Sequence, residues 1–236
     1  MTKHPTTMPM RAHRPADLPR RGSDGAEARR LIAELGPGFN ARTVRVLTEG
    51  DLVAVHGVHD DGGVARAGFD VFRIDRGRLA EHWAAHQAVV AETASGNSQT
   101  DGPADVTRPQ QGARNGRLVD YLIDTILIGR KHDRLKHFFV ADLIQHDPLV
   151  GNGVKALTAA WRTPGTCYER RHTTIADGEF VLTVSTGTVR HAPRVFYDLF
   201  RVDRGMVVEH WNVTTERGGL PSPATVATTA ADGQGS

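Results

Sequence analysis

Two stretches of the chain repeat the same alternation of apolar and polar residues. Residues 69–84 and 197–212 are offset by 128 positions (198 − 70), and nine of their sixteen positions are identical. In each stretch an alternating run ends at Asp-Arg-Gly, and a second run then leads to Glu-His-Trp. Because side chains alternate between the two faces of a strand and Asp-Arg-Gly favours a tight turn, each stretch predicts a β-hairpin. The repeat indicates two related units in one chain.

Further alternating runs extend both hairpins into predicted sheets. In the first half the predicted strands are 43–48, 52–58, 66–75 and 79–90, and in the second half they are 168–175, 180–189, 194–203 and 206–215. Gly and Asp dominate the turns between them, where positive φ angles cost these residues little.

Helical spacing of apolar residues precedes the strands in both halves. The first half has one predicted helix, at 27–35. In the second half, Leu118, Leu122 and Ile126 predict an amphipathic helix that ends near Gly129, and shorter helices are predicted at 133–139 and 154–161. Helices followed by a run of antiparallel strands are typical of an α+β fold.

The composition also divides the chain. Residues 94–112 are rich in Ser, Gly, Asn, Gln, Pro and Asp, which is typical of a linker. We predict a first domain at 13–93, a linker at 94–113, a complete second domain at 114–217 and a disordered tail at 218–236. The first domain lacks the two helices found at 114–139, so part of its sheet is expected to be covered by the second unit, as a pseudo-dimer within the chain, or by another chain in a homodimer.

Overall composition excludes several classes of protein. The 236 residues are 39% hydrophobic and 24% charged, with a net charge of +2 and scattered basic residues, so neither a nucleic-acid face nor a membrane span is indicated. The N-terminus lacks the apolar core of a signal peptide. Cys167 is the only cysteine, which excludes an intrachain disulfide and fits a reducing compartment. We expect a cytoplasmic protein.

One set of motifs resembles a known family. Gln145-His-Asp-Pro148, a short helix, the Gly-flanked strand at 180–185 and the hairpin at 197–211 are similar, in this order, to the SnoaL-like polyketide cyclases of the nuclear transport factor 2-like superfamily. The resemblance covers 114–217 completely and 13–105 partly. It implies two tandem cone-shaped domains, each a curved antiparallel sheet with helices on its concave face. Because this superfamily hosts cyclases, isomerases, epoxide hydrolases and non-catalytic binding modules, the resemblance implies a fold rather than a reaction.

Two aspartates are the first candidates for chemistry. Asp198 shares a strand face with Phe200 and Val202, and Asp70 shares one with Phe72. A carboxylate on an apolar face loses hydration, which raises its pKa toward values useful for proton transfer. The resemblance also implies that this aspartate corresponds to the acid/base residue of the cyclases. The alternative is a structural aspartate that binds an arginine or a backbone group.

Histidines near the predicted pocket mouths are the next candidates. His146 lies in Gln145-His-Asp-Pro148, and His13 lies in the His-Arg-Pro of the first unit. A neutral imidazole can orient a carbonyl or exchange a proton with an aspartate, and Gln145 can donate to an enolate oxygen; alternatively, these side chains bind backbone groups or face solvent. His56 is a candidate base whose partner is Asp70, if the strand register brings the two together.

Three aromatic residues are candidates for substrate binding: Tyr197, Trp161 and Trp211. Tyr197 points away from Asp198 on its strand, and Trp211 suits a packing role. In the family pattern Asp usually follows this Trp, whereas here Asn212 does, which puts in doubt any mechanism that depends on that carboxylate.

No metal and no cofactor are predicted. His82 and His86 are four residues apart, which on a strand separates them by roughly 13 Å, too far to share one ion. No sequence motif of a metal site or a phosphate-binding loop is present.

These observations predict a cofactor-independent cyclase- or isomerase-like enzyme. Asp198 would transfer protons on a small hydrophobic carbonyl compound in polyketide-like aldol chemistry. Two alternatives stay open: a non-catalytic module that binds a small hydrophobic ligand, and an epoxide-hydrolase-like enzyme. The latter needs a water held between two carboxylates and an arginine, and the sequence indicates one carboxylate in each pocket.

Overall fold

The structure is a computed structural model that describes residues 42–76 and 78–216, together with Arg30. The predicted tail at 218–236, His13 and, apart from Arg30, the predicted helix at 27–35 lie outside the described residues. Within the described ranges the chain has an α+β fold that is mostly sheet with few helices. No helix there is long and apolar enough to cross a membrane.

The first half forms a four-stranded antiparallel sheet in the order β1-β2-β3-β4. The strands are β1 (Arg42–Glu49), β2 (Leu52–Asp61), β3 (Val64–Asp75) and β4 (Arg78–Ala88). All four predicted strands are confirmed. Gly50 takes a positive φ of 61° in the turn between β1 and β2, as its place in the turn requires.

The helices of the second half precede or interrupt its sheet. A 3-10 turn (Pro109–Gln111) leads into α1 (Gly112–Tyr121), which continues as a π-helical turn (Leu122–Leu127). A 3-10 segment (His132–His137) follows. The next helix, α2 (Val154–Trp161), comes after the first strand of the second sheet. The predicted helix ending near residue 129 is therefore confirmed in location, whereas the predicted helix at 133–139 is a 3-10 segment. Leu122, Ile123, Ile126 and Leu127 are all buried against the sheet.

The second sheet has five strands in the order β5-β9-β8-β7-β6. They are β5 (Phe139–Gln145), β6 (Cys167–Asp177), β7 (Phe180–Val189), β8 (Ala192–Asp203) and β9 (Met206–Thr215). The sequence did not predict β5, and β5 pairs with β9 in parallel, so the expectation of a wholly antiparallel sheet is wrong at this edge. No tight turn joins these two strands, because three others separate them along the chain, and their direction is therefore unconstrained by a hairpin.

The repeat is visible in strand bounds and pairing. Adding 128 to the bounds of β2 and β3 gives those of β7 and β8. The pair Leu52–Arg73 of the first sheet falls on the pair Phe180–Arg201 of the second. Equivalent sequence positions therefore occupy equivalent places in the two sheets.

The two faces of the second sheet bury different partners. Phe196, Phe200 and Val202 pack against the helices, while their neighbours Tyr197 and Leu199 face the first sheet. The first sheet contributes buried aromatic and aliphatic side chains to the same core cluster, namely Phe69, Val71, Trp83 and Ala85. This alternation is the period of two expected of a strand buried on both faces.

The predicted linker is bound to both sheets. Arg45 of β1 is 1% exposed and donates hydrogen bonds to the carbonyl oxygens of Pro103 (2.6 Å) and Thr100 (3.2 Å). Its guanidinium lies 4.3 Å from the ring centroid of Trp211, whose indole N–H donates to the carbonyl of Asp101. Backbone carbonyls in this segment thus satisfy buried donors at the junction of the sheets.

Candidate functional site

A cavity of about 630 Å³ lies between the second sheet, α2 and the loop that follows β5. Its apolar wall includes Val150, Leu157, Trp161, Val189 and Phe196. Its polar wall includes Asp147, Tyr168, Arg190, Arg194, His210 and Asn212. Gln87 of β4 also lines the cavity and donates to the carbonyl of Asn212 (3.1 Å), so the first sheet contributes to this site. A largely apolar cavity with a few convergent polar groups is typical of a small-molecule site.

Asp198 lies directly behind the polar wall. Its carboxylate is fully buried and accepts hydrogen bonds from Tyr168 Oη (2.9 Å), His210 Nε2 (3.0 Å) and Asn212 Nδ2 (2.7 Å). All three donors line the cavity, whereas Asp198 itself does not. Its position beside Phe200 on the helix-facing side of β8 is as predicted, and it serves there as the common acceptor that fixes three cavity residues.

The hydrogen bonds of Gln145 determine the tautomer of His210. The Gln145 Oε1 atom accepts from the backbone N–H groups of His146 and Asp147, both at 2.9 Å, which fixes the orientation of the amide. The amide nitrogen therefore donates to His210 Nδ1 at 3.1 Å. With Nδ1 accepting, His210 is neutral and carries its proton on Nε2, directed at Asp198. Gln145 is thus placed to orient His210 rather than to contact a guest.

Tyr168 and Asn212 are held in defined protonation and rotamer states. Burial and the neighbouring Asp198 raise the pKa of the Tyr168 phenol well above its usual value, so the phenol is neutral. Thr214 donates to Asn212 Oδ1 (2.9 Å), which orients the amide so that its nitrogen faces Asp198. Asn212 lies directly opposite Asp198 in the strand pairing, where a second carboxylate would repel the first. Asparagine at this position therefore suits the buried carboxylate opposite it.

We expect Asn212→Asp to destabilise the fold at neutral pH. It replaces a 2.7 Å hydrogen bond to a fully buried carboxylate with a pair of like charges. The free energy of unfolding should fall by about 3 kcal/mol at pH 7, and the loss should shrink below about pH 5 as one carboxyl is protonated. Urea unfolding at both pH values measures this. Asn212→Ala, which removes the hydrogen bond without adding charge, is the control, and equal losses at both pH values for Asn212→Asp would contradict the explanation.

Asp147 is a cavity residue that the sequence analysis did not single out. It lines the cavity, and its Oδ1 accepts from the backbone N–H of Leu149 (2.8 Å). Burial raises the pKa of its carboxyl, and nearby Asp198 adds to the shift, although the backbone hydrogen bond from Leu149 opposes it. The only sequence signal was its place in Gln145-His-Asp-Pro148. Of these two aspartates, Asp147 lines the cavity, whereas Asp198 lies behind its wall.

Of the other candidates in the second half, Trp161 lines the cavity and packs edge-on against Tyr168. His146 does not line the cavity. It is 2% exposed, its Nε2 lies 2.8 Å from Glu209 Oε1, its Nδ1 lies 2.6 Å from the Ser98 carbonyl, and its ring stacks on Trp211. Tyr197 and Trp211 lie between the sheets. His146, Tyr197 and Trp211 therefore pack at the junction of the two sheets and do not line the cavity.

His56 and Asp70 do not form the base–orienter pair that was considered. His56 pairs with Phe69 across the strands, whereas Asp70 pairs with Val55, so the two side chains lie on opposite faces of the sheet. His56 Nδ1 lies 2.9 Å from Arg45 Nη1. Burial, followed by the charge of Arg45, lowers the pKa of His56 well below its usual value. The imidazole is therefore neutral and serves as an acceptor for Arg45.

Asp70 instead lies among three other histidines. His59, His82 and His86 all place Nε2 within 2.9 Å of its carboxylate oxygens. Burial alone would raise the pKa of Asp70, but the three hydrogen bonds outweigh it and lower the pKa well below the usual range. His82 and His86, which the sequence analysis judged too far apart to share one ion, lie on one face of β4 and contact different oxygens of the same Asp70.

Comparison with known proteins bears on the fold. No family model matches the sequence, and no curated protein matches it. Solved structures similar to it include a candidate ketosteroid isomerase from Kribbella flavida (17% identity, 51% of this chain and 90% of that chain, TM-score 0.41). An NTF2-like protein of unknown function from Burkholderia xenovorans has 13% identity over 45% of this chain and 87% of that chain, with a TM-score of 0.39. A steroid delta-isomerase from Pseudomonas aeruginosa has 19% identity over 49% of this chain and 87% of that chain, with a TM-score of 0.37. Each of these three structures matches about half of this chain.

Proposed function

We propose that the chain is a cofactor-independent acid–base enzyme, of isomerase or cyclase type, that acts on a small, largely apolar carbonyl compound. The cavity volume of about 630 Å³ falls in the range of small-molecule sites, roughly 300–1,000 Å³. Its apolar wall suits a hydrophobic skeleton, and its polar groups gather around Asp198. The observation that carries the proposal is Asp147, a carboxyl with a raised pKa at the wall of this cavity.

In the proposed step, Asp147 accepts a proton from the carbon next to the carbonyl. The electron pair of the broken C–H bond moves onto the carbonyl oxygen and forms an enolate. Asn212, through its second amide N–H, and Tyr168, by turning its O–H from Asp198 to the guest, donate hydrogen bonds to that oxygen. Asp147 returns the proton to the same or another carbon, which gives an isomer. In the cyclase variant, the enolate carbon attacks a second carbonyl of the same guest, the ring closes, and Asp147 gives its proton to the alkoxide oxygen that forms.

Asp198 then has a positioning role in place of direct proton abstraction. Its two oxygens already accept three hydrogen bonds, and its own side chain does not line the cavity. A carboxylate so occupied and set behind the wall is poorly placed to take a proton from a guest.

Deuterium incorporation tests the proposal. With 2-tetralone as probe in D₂O, the protein should accelerate exchange of the protons next to the carbonyl by at least about 100-fold over buffer. Mass spectrometry measures the exchange, and fluorescence of the cavity residue Trp161 reports binding. Binding without exchange would overturn the enzyme proposal in favour of the non-catalytic binding module.

A second candidate, an epoxide-hydrolase-like activity, is favoured by a specific observation. Arg190 and Arg194 line the cavity together with Asp147. A water that gives a proton to the Asp147 carboxylate can attack an epoxide carbon, and the alkoxide left by the opened ring, bound by an arginine, then takes that proton back from Asp147. Cyclohexene oxide in H₂¹⁸O would yield labelled trans-diol if this candidate holds, and an unchanged epoxide would eliminate it.

We also infer that residues 42–88 are a second copy of the unit at 167–215, so that the chain is a tandem form that covers its own sheet. The matched strand bounds and the buried aromatic residues between the sheets support this inference.

Expression of residues 109–236 alone tests the tandem inference. The fragment would expose Tyr197, Leu199 and Trp211, which the full chain buries between the sheets. We expect it to self-associate or aggregate, as measured by analytical ultracentrifugation, with the full chain as the control. A stable, soluble monomer would contradict the inference.

A further inference from the structure

Three imidazoles converge on one buried carboxylate in the first sheet. His59 Nε2 and His86 Nε2 lie 2.8 Å and 2.9 Å from Asp70 Oδ2, and His82 Nε2 lies 2.8 Å from Oδ1. The nearest ligand-capable atoms of His59, Asp70 and His86 all lie within 4.8 Å of one another. This cluster is separate from the cavity of the second sheet and has no part in the proposed reaction.

The backbone of the first sheet makes room for the cluster. His59 comes from β2, Asp70 from β3 and His86 from β4. Gly68 lies directly opposite His86, and a Cβ at Gly68 would meet His86 Cδ2 at 2.3 Å and the Ala85 carbonyl at 2.2 Å. The rings of His59 and His86 pack together in the space so formed, with centroids 3.9 Å apart and an angle of 34° between their planes. Any side chain at Gly68 would displace the His86 ring.

The second sheet provides a comparison, because its equivalent positions lack this cluster of histidines. With the offset of 128 residues, Asp70 and His82 correspond to Asp198 and His210, which keep the same contact between carboxylate and imidazole. The other three positions differ in a concerted way: His59, Gly68 and His86 correspond to Gly187, Phe196 and Thr214. The first sheet thus has glycine in place of a phenyl ring and gains two imidazoles in the same region.

We propose that His59, His86 and Asp70 bind a divalent first-row transition-metal ion such as Zn²⁺, with His82 as a positioning residue. Two imidazole nitrogens and a carboxylate oxygen are ligands that such ions favour. Bonds of about 2.0–2.2 Å place ligand atoms of a tetrahedral site roughly 3.3–3.6 Å apart, so small side-chain shifts suffice to admit the ion. His82 binds the other oxygen of Asp70 and orients the carboxylate, as outer partners of metal ligands do.

The exposure of the cluster provides a path for the ion. The side chain of Asp70 is 1% exposed and that of His59 is 11% exposed, whereas those of His86 and His82 are 25% and 41% exposed. A buried carboxylate at the base and solvent-accessible imidazoles at the rim leave coordination positions open to water or a small anion. This arrangement suits a site that binds its ion directly from solution.

Metal titration of the full-length chain tests this proposal. After treatment with EDTA and removal of the chelator, the protein should bind one Co²⁺ per chain, with visible absorption bands, and one Zn²⁺ in competition with a chromophoric chelator. His59→Gln and His86→Gln should each weaken the affinity by at least about 100-fold, and His82→Gln by about 10- to 100-fold. The exposed His137→Gln is the matched control and should leave the affinity unchanged. Circular dichroism verifies that each variant is folded.

Two results would overturn the proposal. One is binding no tighter than millimolar in the wild-type chain. The other is stoichiometric binding that persists undiminished in the double variant His59→Gln/His86→Gln, which would place the ion elsewhere. X-ray absorption of the wild-type Zn²⁺ complex makes the test independent of any variant: two imidazoles and an oxygen at about 2.0–2.2 Å are expected, and a shell without imidazole would contradict the assignment.

Discussion

Replacing Asp147 with asparagine is expected to abolish deuterium exchange without destabilising the fold. The variant removes the proposed proton acceptor, so the rate should fall by about 100-fold or more. The amide oxygen of asparagine can still accept the hydrogen bond from the Leu149 N–H. Ketone affinity should change little, because the cavity shape is retained.

The change in stability caused by Asp147→Asn depends on pH. Because burial raises the pKa of Asp147 in the folded state, its ionisation costs stability at neutral pH, and this cost disappears below the unfolded-state pKa of about 3.9. Asp147→Asn should therefore be as stable as the wild type or more stable at pH 7, with no such gain near pH 3. Thermal unfolding at the two pH values measures this. The exposed Asp142→Asn is the control, and a variant that keeps full exchange activity would refute the role of Asp147.

Replacing Asp198 with asparagine is expected to cost both stability and activity. Three hydrogen-bond donors point at this carboxylate, and an amide offers only one acceptor atom while placing an N–H₂ group among the remaining donors. Leaving buried donors unsatisfied should lower the free energy of unfolding by about 2–4 kcal/mol.

The effect of Asp198→Asn on the exchange rate distinguishes a positioning role for Asp198 from proton abstraction by it. If Asp198 only holds Tyr168 and Asn212, Asp198→Asn should slow exchange while leaving the pH dependence set by Asp147 in place. Urea unfolding and the pH profile of exchange measure the two effects. A profile that loses its ionisation in Asp198→Asn, but keeps it in Asp147→Asn, would return the role of base to Asp198.

The strands of both sheets were predictable because their signal is local. Alternation, Gly-containing turns and the repeated hairpin fix both the strands and their pairing through short connections, as β2 with β3 and β7 with β8 show. β5 was missed because its place beside β9 depends on the packing of distant segments. The placement of Asp198 on the apolar face of β8 also followed from the period of two.

The site was less predictable because its residues meet through tertiary packing. Asp147 acquires its raised pKa from partial burial at the cavity wall, and Tyr168 reaches Asp198 from two strands away. The three histidines near Asp70 were missed for a different reason. Distance along a strand describes the backbone, whereas imidazoles at positions 82 and 86 extend toward a residue that lies between them on the next strand.

The two sheets place different groups around one shared contact. The contact between aspartate and histidine is common to both, at Asp70 and His82 and at Asp198 and His210. In the second sheet Phe196 and the helices surround it with apolar walls and a cavity. In the first sheet Gly68 admits two further imidazoles. We therefore assign proton transfer to the second sheet and ion binding to the first.

The most direct test of the central claim is the titration of the Asp147 carboxyl by NMR in protein labelled with ¹³C-aspartate, assigned through Asp147→Asn. We predict a carboxyl whose pKa lies above the ordinary aspartate value of about 3.9 and shifts when 2-tetralone binds. A carboxyl that titrates at or below the ordinary value and does not respond to the ketone would contradict the account.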